Sequence, residues 1–113
     1  LKKLEAIIRP EQFQHLKNGL ASLGISGLTV SEAAGCGKQK GKKGLFRGTS
    51  FEIQLVPKVK VEMIVEDEKI DPIVDIILET CSTSTVGDGK IFIFPVEEVI
   101  RIRSGERGSE AIL

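Results

Sequence analysis

Lys58-Val59-Lys60-Val61-Glu62-Met63-Ile64-Val65 decides the fold. Val59, Val61, Met63 and Val65 alternate with Lys58, Lys60, Glu62 and Ile64, the period of two expected of a strand with one face buried. Just downstream, Ile70, Ile73, Val74, Ile77 and Leu78 recur at the spacing of one helix face. Asp71-Pro72 reads as an N-cap and first helical residue, which starts this helix late. The alternative is a start at Asp67, with Pro72 straining the second turn. Ile91 to Phe94 and Val99 to Ile102 then read as strands, separated near Pro95.

The N-terminal half repeats the pattern. Leu4-Glu5-Ala6-Ile7-Ile8-Arg9 is an apolar strand that stops before Pro10. Phe13, Leu16, Leu20 and Leu23 fall at helical spacing and end at Gly24, and Leu28-Thr29-Val30-Ser31 begins a second strand. The order is strand–helix–strand twice. It predicts an α+β, ferredoxin-like split βαβ fold (βαββαβ) with an extra C-terminal strand and both helices on one face of an antiparallel sheet. Ile7 and Ile64 make the other face too apolar to be wet, so it is expected to pack against further copies of the chain. Phe92 and Phe94 are expected in the core.

With 113 residues, the chain reads as a single domain over 1–113. Lys plus Arg equals Asp plus Glu at 16 each, which argues against a nucleic-acid partner. Cys36 and Cys81 are too far apart for a zinc pair and read as buried free thiols in a reducing, cytoplasmic setting. No apolar run approaches a membrane span and no signal peptide is visible, so contact with a membrane is expected only through a partner protein. His15 is the only histidine and reads as a surface residue of the first helix. No Ser/His/Asp or Cys/His set can be assembled, so no catalytic residue is expected.

Chemistry gathers at Gly87-Asp88-Gly89-Lys90. Two glycines permit positive φ and let backbone amides wrap an anion, with Lys90 adding a charge at the exit. Arg101 and Arg103, two apart, share one face if their segment is a strand. Together they suit a polyphosphate. The plainer alternatives are an ordinary Asp-Gly hairpin turn and a solvated Arg-x-Arg strand face.

The second concentration of charge lies in a long connection, about 36–55. Lys38, Lys40, Lys42, Lys43 and Arg47 occur there with no acid between Lys38 and Phe51, among several glycines. Connections this long are usually functional or disordered, and the cations suit an acidic or phosphate-bearing partner. A P-loop is excluded, because the spacing is wrong and neither Ser nor Thr follows the lysine.

Thr83-Ser84-Thr85-Val86-Gly87-Asp88-Gly89-Lys90-Ile91-Phe92-Ile93 resembles the C-terminal signature of the PII nitrogen-regulatory signal proteins. Leu4 to Pro10, Gly27 to Glu32, Gln39-Lys40-Gly41, Arg47-Gly48 and Val99 to Gly108 extend the likeness along the whole chain. The resemblance implies a homotrimer with nucleotide sites between subunits, where ATP and ADP compete and 2-oxoglutarate joins Mg-ATP. Nucleotide-binding positions implied by it are Thr29, Gly37, Lys38, Gln39, Ile64, Gly87, Asp88, Gly89, Lys90, Arg101 and Arg103. Gln39 matches the Mg²⁺ ligand, and Gln39, Lys40, Gly41 and Lys58 match the 2-oxoglutarate site. The segments 82–90 and 103–113 become a phosphate-binding loop and a C-terminal loop. The long connection becomes an effector arm carrying Lys42, Lys43, Phe46, Arg47, Thr49, Ser50 and Phe51, read by an ammonium transporter or an enzyme of nitrogen assimilation.

The chain also departs from the family pattern. Phe51 has no hydroxyl, so nucleotidylylation there is chemically impossible; Thr49 and Ser50 are the remaining hydroxyls. Lys38 replaces a usual arginine and gives up its fork. Ser84 stands where glycine is usual, and Lys43-Gly44 makes the arm more basic. Two other functions compete with the regulator: a nucleotide-dependent enzyme on the same fold, such as a phosphotransferase, and an RNA-binding module using Phe92 and Phe94.

Overall fold

Alternation along the strands builds one sheet with one covered face. The structure, a computed structural model, describes residues 1–36 and 55–113. Its elements run β1 (Lys2–Ile8), α1 (Phe13–Ser22), β2 (Thr29–Gly35), β3 (Val56–Val65), α2 (Ile70–Cys81) and β4 (Gly89–Pro95). The strands lie in the order β2-β3-β1-β4, and every pairing is antiparallel. This is the split βαβ, ferredoxin-like arrangement.

The covered face takes Leu4, Ala6 and Ile8 from β1 and Val61, Met63 and Val65 from β3. Leu16 and Leu20 of α1 and Ile73, Ile77 and Cys81 of α2 close over them. Each such aliphatic side chain contributes about 1.5–3 kcal/mol on burial. The helices approach closely at Gly19, where an added Cβ would stand 2.8 Å from Cγ2 of Ile76.

Both helices are entered through a short 3-10 turn, Pro10–Gln12 and Asp67–Lys69. Neither reading of the second helix start is therefore complete. The chain turns helical at Asp67 and becomes α-helical at Ile70. Pro72 is then the third residue of α2, among the amides that need no intrahelical acceptor, so it does not strain the helix. Leu78, expected on the buried face, is 56% exposed, and Cys81 takes that place in the core.

Three further expectations are corrected. Cys36 is exposed, because it follows an edge strand with few contacts above it; Cys81 alone is buried. Phe92 and Phe94 are exposed, not core. Register pairs Leu4 with Ile93 and Ala6 with Ile91, so the isoleucines turn toward the helices and the phenylalanines toward the open face. The extra C-terminal strand is reduced to one isolated bridge between Ile100 and Arg107. The hydrogen bonds there are local: the Arg101 amide donates to the Glu106 carbonyl at 2.9 Å, and the Gly105 amide to that of Arg101 at 2.7 Å. The segment folds back on itself instead of extending the sheet.

Candidate anion-binding site

The connection from α2 to β4 is built around Asp88. Its carboxylate accepts from the backbone amide of Thr83 at 2.6 Å, from the Thr83 hydroxyl, and from Nε of Arg9 at 3.1 Å. The Thr83 hydroxyl and then the Thr83 amide hold the Asp88 carboxyl well below the usual carboxylate range, with Arg9 adding to them. The Asp88 carboxylate is therefore an anion that shapes the turn from within. Arg9 reaches further, donating from Nη2 to the Thr85 hydroxyl at 3.0 Å and to the Val86 carbonyl at 2.8 Å. Lys58 of β3 donates to the Gly87 carbonyl.

Two glycines are required here. Gly87 has φ of +102°, and an added Cβ would sit 3.1 Å from Nη2 of Arg9. Gly89 has φ of +108°, and its Cβ would lie 1.7 Å from the Ile7 carbonyl oxygen, an impossible contact. Ser84, in the position where the sequence departs from glycine, has φ of 64°. Lys90 follows on the open face, opposite Ile7. Beside the turn, an open groove of about 300 Å³ runs between β1, α2 and β4, lined by Ile7, Leu78, Cys81, Asp88 and Lys90 among others. Burial pushes the Cys81 thiol up, which disfavours its thiolate form.

The expected site residues divide into two groups. Gly87, Asp88, Gly89, Lys90 and Lys58 gather at one end of the sheet. Thr29 lies opposite Glu62, and Ile64 opposite Lys3, further along the open face. Arg101 and Arg103 follow the far end of β4, which spans Gly89–Pro95. At about 3.3 Å per residue, that places the beginning and end of β4 about 20 Å apart.

The arginines do not share a strand face. Arg101 donates to the carboxylate of Glu106 and to the carbonyls of Glu110 at 2.8 Å and Leu113 at 3.0 Å. Arg103 lies exposed in the turn over 102–104. One chain therefore does not bring its arginines to its own glycine turn.

Gly37, Lys38, Gln39, Lys40, Gly41, Lys42, Lys43, Phe46, Arg47, Thr49, Ser50 and Phe51 lie outside the described residues. Among the described residues, no cluster of three or more His, Cys, Asp or Glu could hold a metal ion. Sequence reasoning missed Arg9, which sits 79 residues from Asp88 in the chain. Its only sequence signal is a cation placed before Pro10 at a strand end.

Sheet, helices and turn define a small ferredoxin-like protein with a glycine turn flanked by cations. The family model described as nitrogen regulatory protein P-II matches residues 1–106. Nitrogen regulatory protein P-II of Pasteurella multocida (strain Pm70) is 46% identical over 112 residues, covering 99% of this chain and 100% of the relative. The protein of the same name from Microchaete diplosiphon is 48% identical with the same coverage, and nitrogen regulatory protein P-II 1 of Escherichia coli (strain K12) is 46% identical. Among solved structures, Arabidopsis thaliana PII bound to citrate superposes with a TM-score of 0.79 at 38% identity, covering 97% of this chain and 90% of that one. The chain belongs to the P-II nitrogen regulatory protein family. Its relatives are named as nitrogen regulatory proteins, and the family is one of regulatory signal proteins, not enzymes.

Proposed function

We propose that this chain senses ATP, ADP and 2-oxoglutarate at sites between the subunits of a homotrimer, and regulates an ammonium transporter or a nitrogen-assimilation enzyme. The carrying observation is the separation just described. A glycine turn with Lys58 and Lys90 stands at one end of the sheet, and Arg101, Arg103, Thr29 and Ile64 lie toward or beyond the other. A neighbouring copy brings the second group to the first. Phosphate then meets the amides of the turn, Lys90 and the neighbour's two arginines. Charge-assisted hydrogen bonds contribute about 1.5–3 kcal/mol each, so a few suffice for firm binding.

Arg101 leaves its own C-terminal acceptors, or shares them with the phosphate, as the nucleotide enters. Lys58 pairs with a 2-oxoglutarate carboxylate in this reading, exchanging the Gly87 carbonyl for a charged acceptor. Gln39 would hold Mg²⁺, with a neutral oxygen suited to a hard cation already loaded with phosphate oxygens. The connection 36–55 acts as the effector arm, whose conformations shift only by the ligands' differential affinity for them. Regulation of this kind takes place in the cytoplasm, with membranes met through the partner; no helix among the described residues is long and apolar enough to cross one.

Titration calorimetry tests the reading. ATP and ADP are expected to compete, and 2-oxoglutarate to bind only with Mg-ATP present. A chain that binds no adenine nucleotide, or binds 2-oxoglutarate regardless of Mg-ATP, contradicts it.

A further inference from the structure

We propose that Arg9 is a positioning residue for the anion-binding turn, acting through Asp88 and the Val86 carbonyl without touching the ligand. The inference rests on the nucleotide reading above and adds a residue to it.

Arg9 sits where β1 ends, in an extended conformation with φ −70° and ψ 139°, the region that Pro10 imposes on its predecessor. The side chain is thereby launched at the turn and only 26% of it is exposed. Nε and Nη2 are committed to Asp88, Thr85 and Val86 at 2.8 to 3.1 Å. The face of Gly87 lies against the same guanidinium, closely enough that a Cβ would meet it.

A turn that offers its amides to an anion must send its carbonyls elsewhere, or their negative ends face the same charge. Two cations do this in succession. Arg9 draws off the Val86 carbonyl and Lys58 the Gly87 carbonyl. Among the described residues, the amides of Val86 and Gly87 donate to no backbone carbonyl. Asp88 holds the other side of the loop through Thr83. Arg9 joins the two halves, because one guanidinium binds both the carboxylate and the carbonyl. A lysine supplies the charge without the planar fork.

The test is calorimetric titration of ATP into the full-length wild type, Arg9→Met, Arg9→Lys, Asp88→Asn and the Arg9→Met/Asp88→Asn double variant, each with its thermal midpoint. Arg9→Met is expected to weaken ATP about tenfold, the scale of one charge-assisted bond, and Arg9→Lys to recover part of that loss. In the double variant the two losses are expected to be markedly less than additive, the signature of groups acting as one unit. Wild-type affinity in Arg9→Met overturns the proposal. So do losses that simply add, which mark an independent contact with phosphate. If Arg9→Met does not fold, Arg9→Lys decides: weakened ATP binding supports the fork, and unchanged binding overturns it. A wild type that binds no ATP overturns the nucleotide reading itself, a result distinct from all of these.

Discussion

Ser84 holds a backbone conformation that side chains disfavour, with φ of 64° in the left-handed region. That conformation costs a residue with a Cβ about 1–2 kcal/mol, and the extra freedom of an unfolded glycine offsets about 0.4–1 kcal/mol of any relief. Ser84→Gly is therefore expected to stabilise the chain by about 0.5 kcal/mol, read from the denaturant midpoint; a loss of stability would mean the serine is not strained. The turn's glycines were legible because Gly-Asp-Gly-Lys is contiguous. Asp88 was legible as a member of the turn but not in its role, since nothing local says that its carboxylate faces Thr83 and Arg9. Arg9 was illegible because its partners are distant in sequence and meet it only once β1 and β4 pair.

Among the elements, β3 and α2 could be read directly because a period of two and a period near 3.6 are hard to mistake over such lengths. Their packing predicts where stability lies. Leu20 of α1 is fully buried among the sheet and α2 residues, so Leu20→Ala is expected to cost about 2–5 kcal/mol in unfolding free energy. Removal of a side chain that costs less than about 1 kcal/mol would show that α1 does not close this core. β4 was ambiguous for a definite reason. Ile91 and Ile93 alternate with Phe92 and Phe94, so both faces are apolar and hydrophobicity cannot say which is inward. Register with β1 settles it. Val99 to Ile102 misled in the opposite way. Alternating apolar residues suggest a strand, but a tight return through Gly105, with φ of +77°, pairs the segment with itself.

At the scale of the whole molecule, the open face of the sheet carries Ile7, Ile64, Phe92 and Phe94 beside an ion pair from Lys3 to Glu62 at 2.9 Å. Hydrogen bonding between them raises the Lys3 pKa and lowers that of Glu62. Lys3 also lies over the Phe94 ring, 5.6 Å from its centre. An aromatic sheet face is also what an RNA-binding module presents, but a net charge of zero and the lack of Trp and Tyr weigh against RNA. The proposed oligomer rests in the sequence on Ile7 and Ile64, which interrupt polar alternation. The proposal that the arginines serve a neighbour's site, which the family resemblance already implied, draws support from the length of β4 and the local pairing of Arg101.

The central claim is a nucleotide site divided between two copies, and subunit mixing tests it most directly. One variant carries Lys90→Ala and Asp88→Asn; the other carries Arg101→Gln and Arg103→Gln. Each alone is expected to bind ATP at least about tenfold more weakly than wild type, the scale of one lost charge-assisted contact. After the two are unfolded, mixed and reassembled, a fraction of interfaces pairs an intact turn with intact arginines, and calorimetry should recover wild-type-affinity ATP binding at that fraction. Reassembled mixtures that recover no such binding, while wild type taken through the same procedure does, would contradict the account.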